Sequence, residues 1–158
     1  AINLLNLVPA CDWCQGEKLA DYKSAAGTRS FIHPYFDEVN RPLYMIILEK
    51  PYLTPKISLK LHKDLPPDLQ VLVTSHLKGI DFWERFKEYF ESSYQSIIRI
   101  ASAARAGGQI TVTKAIQSSC LLATEKGVNC WDAVLYRSIL DDAAVLEFLE
   151  NGKLSDFP

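Results

Sequence analysis

The sequence predicts a mainly helical α+β fold, with a small N-terminal element around a cysteine pair, a two-stranded ribbon and a C-terminal helical bundle. Three observations support this prediction. Cys11 and Cys14 lie three residues apart near the start, two short apolar runs farther on have strand patterns, and apolar residues then recur at helical spacing. The predicted regions are 1–40, 41–63 and 64–158, and the last is expected to form one compact unit with the rest.

The composition is typical of a single globular domain. The chain has 158 residues, of which 48% are apolar and 23% charged, with a formal net charge of −2. These values exclude a collagenous, mucin-like or membrane-spanning protein and are too apolar for general disorder. The pI near 5.9 gives no general preference for nucleic acid. Four cysteines without a secretion signal favour a reducing cytoplasm over a disulfide scaffold.

The ribbon is predicted from two runs, LYMIILE at 43–49 and ISLKLHK at 57–63. The first is apolar and partly β-branched, and the second alternates apolar with polar residues, as a half-buried strand does. Pro51 and Pro55 lie between the runs, where the chain has to turn. We expect an antiparallel pair of strands joined by a loop of about seven residues.

The segment 41–63 is also the most basic part of the chain. Its formal charge is +4, from Arg41, Lys50, Lys56, Lys60 and Lys63 against Glu49. Such a surface could contact phosphate groups. The alternative is an ordinary solvated pair of strands.

Five helices are predicted after the ribbon. The first opens at the acidic and proline-rich DLPPD and ends at Gly79, and the second follows a cap at Asp81 and ends at Gly107 and Gly108. The others are predicted at Val112–Lys126, at Asn129–Asp141 with Asn129 as the cap, and at 142–150.

The longest helix carries an aromatic and apolar stripe that we interpret as core. Its members recur at steps of three or four: Trp83, Phe86, Phe90, Tyr94, Ile97, Ala101 and Ala104. The bundle is expected to pack around Trp83, Phe86, Phe90, Trp131 and Leu135. Cys120 and Cys130 fall on apolar helix faces and are predicted to be buried structural thiols.

The segment with recognisable chemistry is LNLVPACDWCQGEK, residues 5–18. Cys11 and Cys14 at the start of a helix would direct both thiolates toward one point, which is half of a tetrahedral zinc site. Other ligands in this chain are limited to Cys120, Cys130, His33, His62 and His76, so the second cysteine pair is expected upstream of Ala1. A redox pair is the alternative, but that motif is expected beside a strand of a βαβ unit, which is not predicted here.

These residues resemble the second half of an HNH (ββα-metal) endonuclease domain. The family pattern is Asn-Leu, Cys-x-x-Cys, Asn or His, then Lys, and Asn6-Leu7, Cys11, Cys14 and Lys18 match it. The chain is similar to a bacterial HNH subgroup in which a His-Pro-Tyr-Phe-Asp segment follows, here HPYFD at 33–37. The helical extension of that subgroup resembles SHLKGIDFWERF and EKGVNCWDAVLYRSI in this chain.

The resemblance implies a partial ββα-metal element with roles for particular residues. Asn6 would orient a general-base His on the preceding strand, and Gln15 stands where the family has a His or Asn metal ligand. Cys11 and Cys14 would hold a structural zinc ion. Mg²⁺ or Mn²⁺ would stabilise the scissile phosphate and its leaving group in the complete domain.

His33 is a candidate catalytic residue near the metal or the phosphate. The alternative is a packing residue that fastens its loop to the nuclease helix.

The resemblance also implies DNA as a partner, with Lys18, Lys23 and Arg29 as candidate contacts. The strand with the general-base His would lie before Ala1, so we expect this segment alone to be inactive, as part of a longer nuclease or as a remnant of one.

Three functional hypotheses remain open. The first is an HNH-type endonuclease that acts on DNA. One hypothesis for its biological role is that of a bacterial anti-phage effector. The second is a non-enzymatic interaction module with a structural zinc site, in which the helical region binds a protein partner or another copy of the chain. The third is a thiol-disulfide enzyme that uses Cys11 and Cys14. None of the three involves a membrane partner.

Overall fold

The computed structural model describes residues 29–33, 37 and 39–154, and the predicted partial ββα-metal element lies outside these residues. The fold class is confirmed as α+β and mainly α. The elements are β1 (Tyr44–Glu49), β2 (Lys56–Leu61), α1 (Pro67–Gly79), α2 (Phe82–Gly107), α3 (Val112–Lys126), α4 (Trp131–Leu140) and α5 (Ala143–Asn151). No helix in the described ranges is long and apolar enough to cross a membrane.

The chain divides into two compact units. The first consists of the residues up to Val39 together with Lys63–Lys87, and the second of Asn40–His62 together with the residues from Glu88 onward. Helix α2 contributes its first turns to the first unit and the remainder to the second.

In the first unit, α1 and the start of α2 bury an apolar core. Val73, Phe82 and Phe86 are almost completely buried, and the rings of the two phenylalanines stack with centroids 5.2 Å apart. Trp83 was expected in this core, but it is only half-buried, with Lys87 Nζ 5.4 Å from its ring centroid. Neighbouring residues on a helix point about 100° apart, so Phe82 takes the inward position and Trp83 the boundary of the stripe.

The ribbon in the second unit is antiparallel, as predicted. Tyr44 lies opposite Leu61 and Glu49 opposite Lys56, and the connecting loop covers residues 50–55. Its inner face includes Ile46, whose amide donates to Ser138 Oγ on α4 at 2.9 Å. Because this face is apolar, it packs against the helices while the lysines of β2 stay exposed.

Asn129 does not cap α4 as predicted. Helix α4 begins at Trp131 with Cys130 at its N-cap. The Asn129 side chain instead accepts from the Leu43 amide and donates to the Arg41 carbonyl, both at 2.9 Å. Asparagine can satisfy the donor and the acceptor of an extended backbone at once, and this bond pair secures the chain that leads into β1.

The remaining helices of the second unit agree closely with prediction. Helix α3 has the predicted bounds, with Thr111 as its N-cap, and Asp142 caps α5 through the amides of Ala144 and Val145. Gly108 follows the end of α2 with a φ of 63°, a left-handed conformation that glycine adopts readily.

The predicted centre of the bundle is only partly correct. Phe90, Tyr94 and Leu135 are buried, whereas Trp131 is half-buried beside Tyr89. The predicted buried thiols, Cys120 and Cys130, are also only partly buried and form no disulfide. Cys130 and Trp131 lie at the start of α4, where periodicity alone does not decide the depth of burial.

Candidate functional site

The described part of the predicted site is a short turn held by Asp37. One carboxylate oxygen of Asp37 accepts from the Arg29 guanidinium, and the other accepts from the His33 amide at 2.6 Å. The Asp37 amide in turn donates to the His33 carbonyl at 2.9 Å. These bonds connect Asp37 to the Arg29 side chain and to the His33 backbone, so the backbone position of His33 is determined by local contacts.

The charges in this turn are distributed unevenly. The side chain of Asp37 is 10% exposed and that of Arg29 is 43% exposed, so the carboxylate is largely covered while the guanidinium reaches solvent. A guanidinium carries five donors, and the ion pair uses only part of that capacity. Arg29 can therefore keep its contact with Asp37 and still meet an anion from the solvent side.

Phe31 fastens this turn to helix α1. Its ring meets the His76 ring edge-on, with centroids 5.9 Å apart and planes at 84°. At Gly79 the ring lies so close that an added Cβ would come within 2.6 Å of a ring carbon. A methyl group there would displace the ring, so Gly79 serves close packing as well as helix termination.

Phe31, which the sequence analysis does not single out, packs this segment onto α1. The alternative interpretation of His33 as a packing residue stays a prediction. A signal was available, because FIHPYF is rich in aromatic residues and a glycine ends the following helix. What the sequence did not reveal is that the ring and the glycine meet, since 48 positions separate them.

Most of the predicted site residues lie outside the described residues. These are Asn6, Cys11, Cys14, Gln15, Lys18 and Lys23. Within the described ranges, no group of three or more His, Cys, Asp or Glu side chains is arranged to hold a metal ion. Asp37 is already engaged by two donors, so it is better suited to position its neighbours than to act as a metal ligand.

The outer face of the ribbon is a second candidate surface. Lys56, Ser58 and Lys60 are exposed along β2, with Met45 and Ile47 half-buried beside them on β1. Lys56 lies opposite Glu49, which offsets part of its charge. This face can contact phosphate groups of a nucleic-acid backbone, and such contacts carry no direct sequence information.

A third cluster, around Tyr89 and Asp132 in the second unit, has a structural explanation. The Tyr89 hydroxyl donates to an Asp132 carboxylate oxygen. Burial, followed by this hydrogen bond, raises the pKa of Tyr89 far above its ordinary value. The hydroxyl serves here as a hydrogen-bond donor that connects α2 with α4.

Comparisons with known proteins identify no relative. No protein-family model matches the chain, and neither the curated proteins nor the solved structures contain a match.

Proposed function

We propose that this protein is an HNH-type, metal-dependent endonuclease that hydrolyses phosphodiester bonds in DNA. The observation that carries the proposal is the ordered pattern of Asn6-Leu7, Cys11, Cys14 and Lys18, followed by the His-Pro-Tyr-Phe-Asp segment. One cysteine pair alone is weak evidence, and it is the order and spacing of the whole set that favours this chemistry.

The turn around His33 supports the proposal through what its residues can do. Asp37 fixes the His33 backbone and holds the Arg29 guanidinium where it remains accessible to an anion. In this proposal Asp37 is a positioning residue, Arg29 contacts a DNA phosphate, and His33 lies beside the substrate backbone. The contact of Phe31 with His76 and Gly79 packs this segment against α1 and so supports the positions of these groups.

The proposal also includes two metals. Cys11 and Cys14 would contribute two ligands to a structural zinc ion, while Gln15 is at the position of the family's catalytic-metal ligand. The Mg²⁺ or Mn²⁺ ion would neutralise charge on the phosphate when bound. The proposed location is the cytoplasm, where reducing conditions keep cysteine thiols available to zinc.

The test is a plasmid cleavage assay in Mg²⁺ and in Mn²⁺, with a chelator as the blank. The general-base His of the family precedes its orienting Asn, so the assay uses both this chain and a chain extended upstream to the first start codon. We expect divalent-metal-dependent cleavage by the extended chain. Asn6→Ala and His33→Ala should each lower its rate by about 100-fold, while His62→Gln should retain activity.

A second experiment separates the nuclease from the alternative of an interaction module. Bound zinc is measured in the extended chain and in Cys11→Ser and Cys14→Ser, and circular dichroism checks that each protein folds. Zinc that depends on both cysteines, together with cleavage, supports the nuclease. A folded, zinc-containing extended chain that cleaves neither single-stranded nor duplex DNA would overturn the proposal and favour the interaction module.

A further inference from the structure

Helix α3 carries a regular stripe of residues on its solvent face. Lys114, Ser118, Leu121 and Glu125 are all exposed and follow one another at steps of four, three and four residues, which places them in one row along the helix. Leu121 is 70% exposed and the adjacent Leu122 is 64% exposed. Leu121 therefore lies in the middle of the row and Leu122 beside it, about 100° farther around the helix, while the row has a positive charge at one end and a negative charge at the other.

Among the residues that the structure describes, the fold does not account for this stripe. The opposite face of α3 supplies the core contacts, through Val112, Ala115, Ile116 and Ala123, all of which are buried. Single exposed leucines are common on protein surfaces, but two adjacent exposed leucines flanked by polar residues have the pattern of a contact surface.

We propose that α3 packs antiparallel against α3 of a second copy of this chain. The charges favour a second copy as the partner, because the row is complementary to an identical row that runs in the opposite direction. With the two-fold axis midway between Ser118 and Leu121, Lys114 of each copy lies opposite Glu125 of the other. The same operation places the small Ser118 opposite the large Leu121, so that each leucine has room beside the facing helix.

The charges also select the orientation. A parallel pair in register would put Lys114 against Lys114 and Glu125 against Glu125, which is repulsive at both ends. In the antiparallel pair, Leu121 and Leu122 of both copies gather around the axis, within about 4 Å of it along the helix direction. Two symmetric ion pairs then flank a small apolar centre.

The surface is small, and this sets the expected affinity. A helix of 15 residues is about 22 Å long, so one helix pair buries less area than a standard stable interface. We therefore expect a weak, reversible dimer with a dissociation constant of about 10 to 100 μM, weakened further by salt.

The test is sedimentation equilibrium of the chain from about 5 μM to about 500 μM, a range that brackets this affinity. The wild type should shift from monomer to dimer. Lys114→Glu and Glu125→Lys should each remain monomeric at the concentrations where wild type dimerises, because each creates two like-charge pairs. Mixing these two variants should restore the dimer, because every Glu then faces a Lys of the other variant.

Matched variants at apolar positions distinguish this interface from nonspecific hydrophobic association. Leu121→Gln should raise the dissociation constant at least about 10-fold. Val71→Gln, at an equally exposed apolar position on α1, should leave it unchanged. Circular dichroism establishes that each variant is folded. A wild type that stays monomeric, charge variants that still dimerise alone, a mixture that stays monomeric, or an equal loss in Val71→Gln would overturn the proposal.

Discussion

At the scale of single residues, the depth of burial distinguishes neighbours of similar chemistry. Phe82 and Trp83 are both aromatic and adjacent in sequence, yet Phe82 is 2% exposed and stacked on Phe86 whereas Trp83 is half-buried beside Lys87. The first ring is thus enclosed by the core of its unit. The second mainly covers the edge of that core.

This difference predicts unequal effects of truncation. Phe82→Ala should lower the free energy of unfolding by about 3 to 5 kcal/mol, because it leaves a cavity in the first unit. Trp83→Ala should cost about 1 to 2 kcal/mol, since it removes partly exposed surface and a weak cation–π contact. Urea titration followed by circular dichroism measures both. Equal losses in the two variants would contradict the assignment of Phe82 as the inward residue.

Asn129 shows that a residue in a cap-like sequence position can have a different role in the folded chain. Its position before an apolar helical pattern is typical of an N-cap, but its amide group is hydrogen-bonded to Leu43 and Arg41. These partners are 86 and 88 positions away in the sequence. No local pattern indicates such a pairing.

At the scale of the elements, the end of α5 depends on a residue of α2. The Arg105 guanidinium donates to the carbonyl oxygens of Phe148 at 2.9 Å and Gly152 at 2.8 Å, and also to that of Leu149. The last carbonyls of a helix lack partners within it and carry a partial negative charge. A cation at this point therefore satisfies several acceptors at once.

We expect Arg105→Ala to destabilise the protein by about 1 to 3 kcal/mol, because partly buried carbonyl groups lose charged donors, although the Phe148 carbonyl keeps the Gly152 amide. Arg105→Lys should recover part of this loss, since an ammonium group supplies the charge but not the planar set of donors. Denaturant titration measures the stability of both variants, and hydrogen exchange in α5 should increase first. A loss below about 0.5 kcal/mol in Arg105→Ala would show that the α5 end is satisfied without it.

At the scale of the whole molecule, we expect buried tyrosines to limit stability at high pH. Burial raises the pKa of Tyr44 and of Tyr94 well above the ordinary value near 10, and the Tyr94 hydroxyl donates to the Tyr52 carbonyl at 2.6 Å. The folded state therefore keeps these protons at pH values where the unfolded chain releases them. Linkage then requires the stability to be intact below about pH 10 and to fall as the pH rises above it.

The corresponding experiment follows urea unfolding at several pH values between about 8 and 12. The free energy of unfolding should decline above about pH 10. Tyr94→Phe should be less stable at neutral pH because it loses a hydrogen bond, but its decline with pH should be shallower. An identical slope in the variant would exclude Tyr94 as a contributor.

Prediction of the fold succeeded where the signals are local. The bounds of α3 and the end of α1 at Gly79 follow from caps and glycines within one turn of the helix end. The alternation along β2 likewise follows from the strand itself. The candidate site was predictable only as a pattern of residue types. The choice of Asp37 as the acceptor for both Arg29 and the His33 amide depends on the folded positions of these residues.

The sequence by itself determined the mainly helical α+β class, the order of the ribbon and helices, and the HNH-like pattern on which the proposed function depends. Only the tertiary structure decided that Phe82 and not Trp83 is buried, that Phe31 meets Gly79, and that Asn129 secures the approach to β1. The reason is physical. Periodicity, caps and turns act within a few residues, whereas burial and long-range hydrogen bonds depend on which distant surfaces meet when the chain folds.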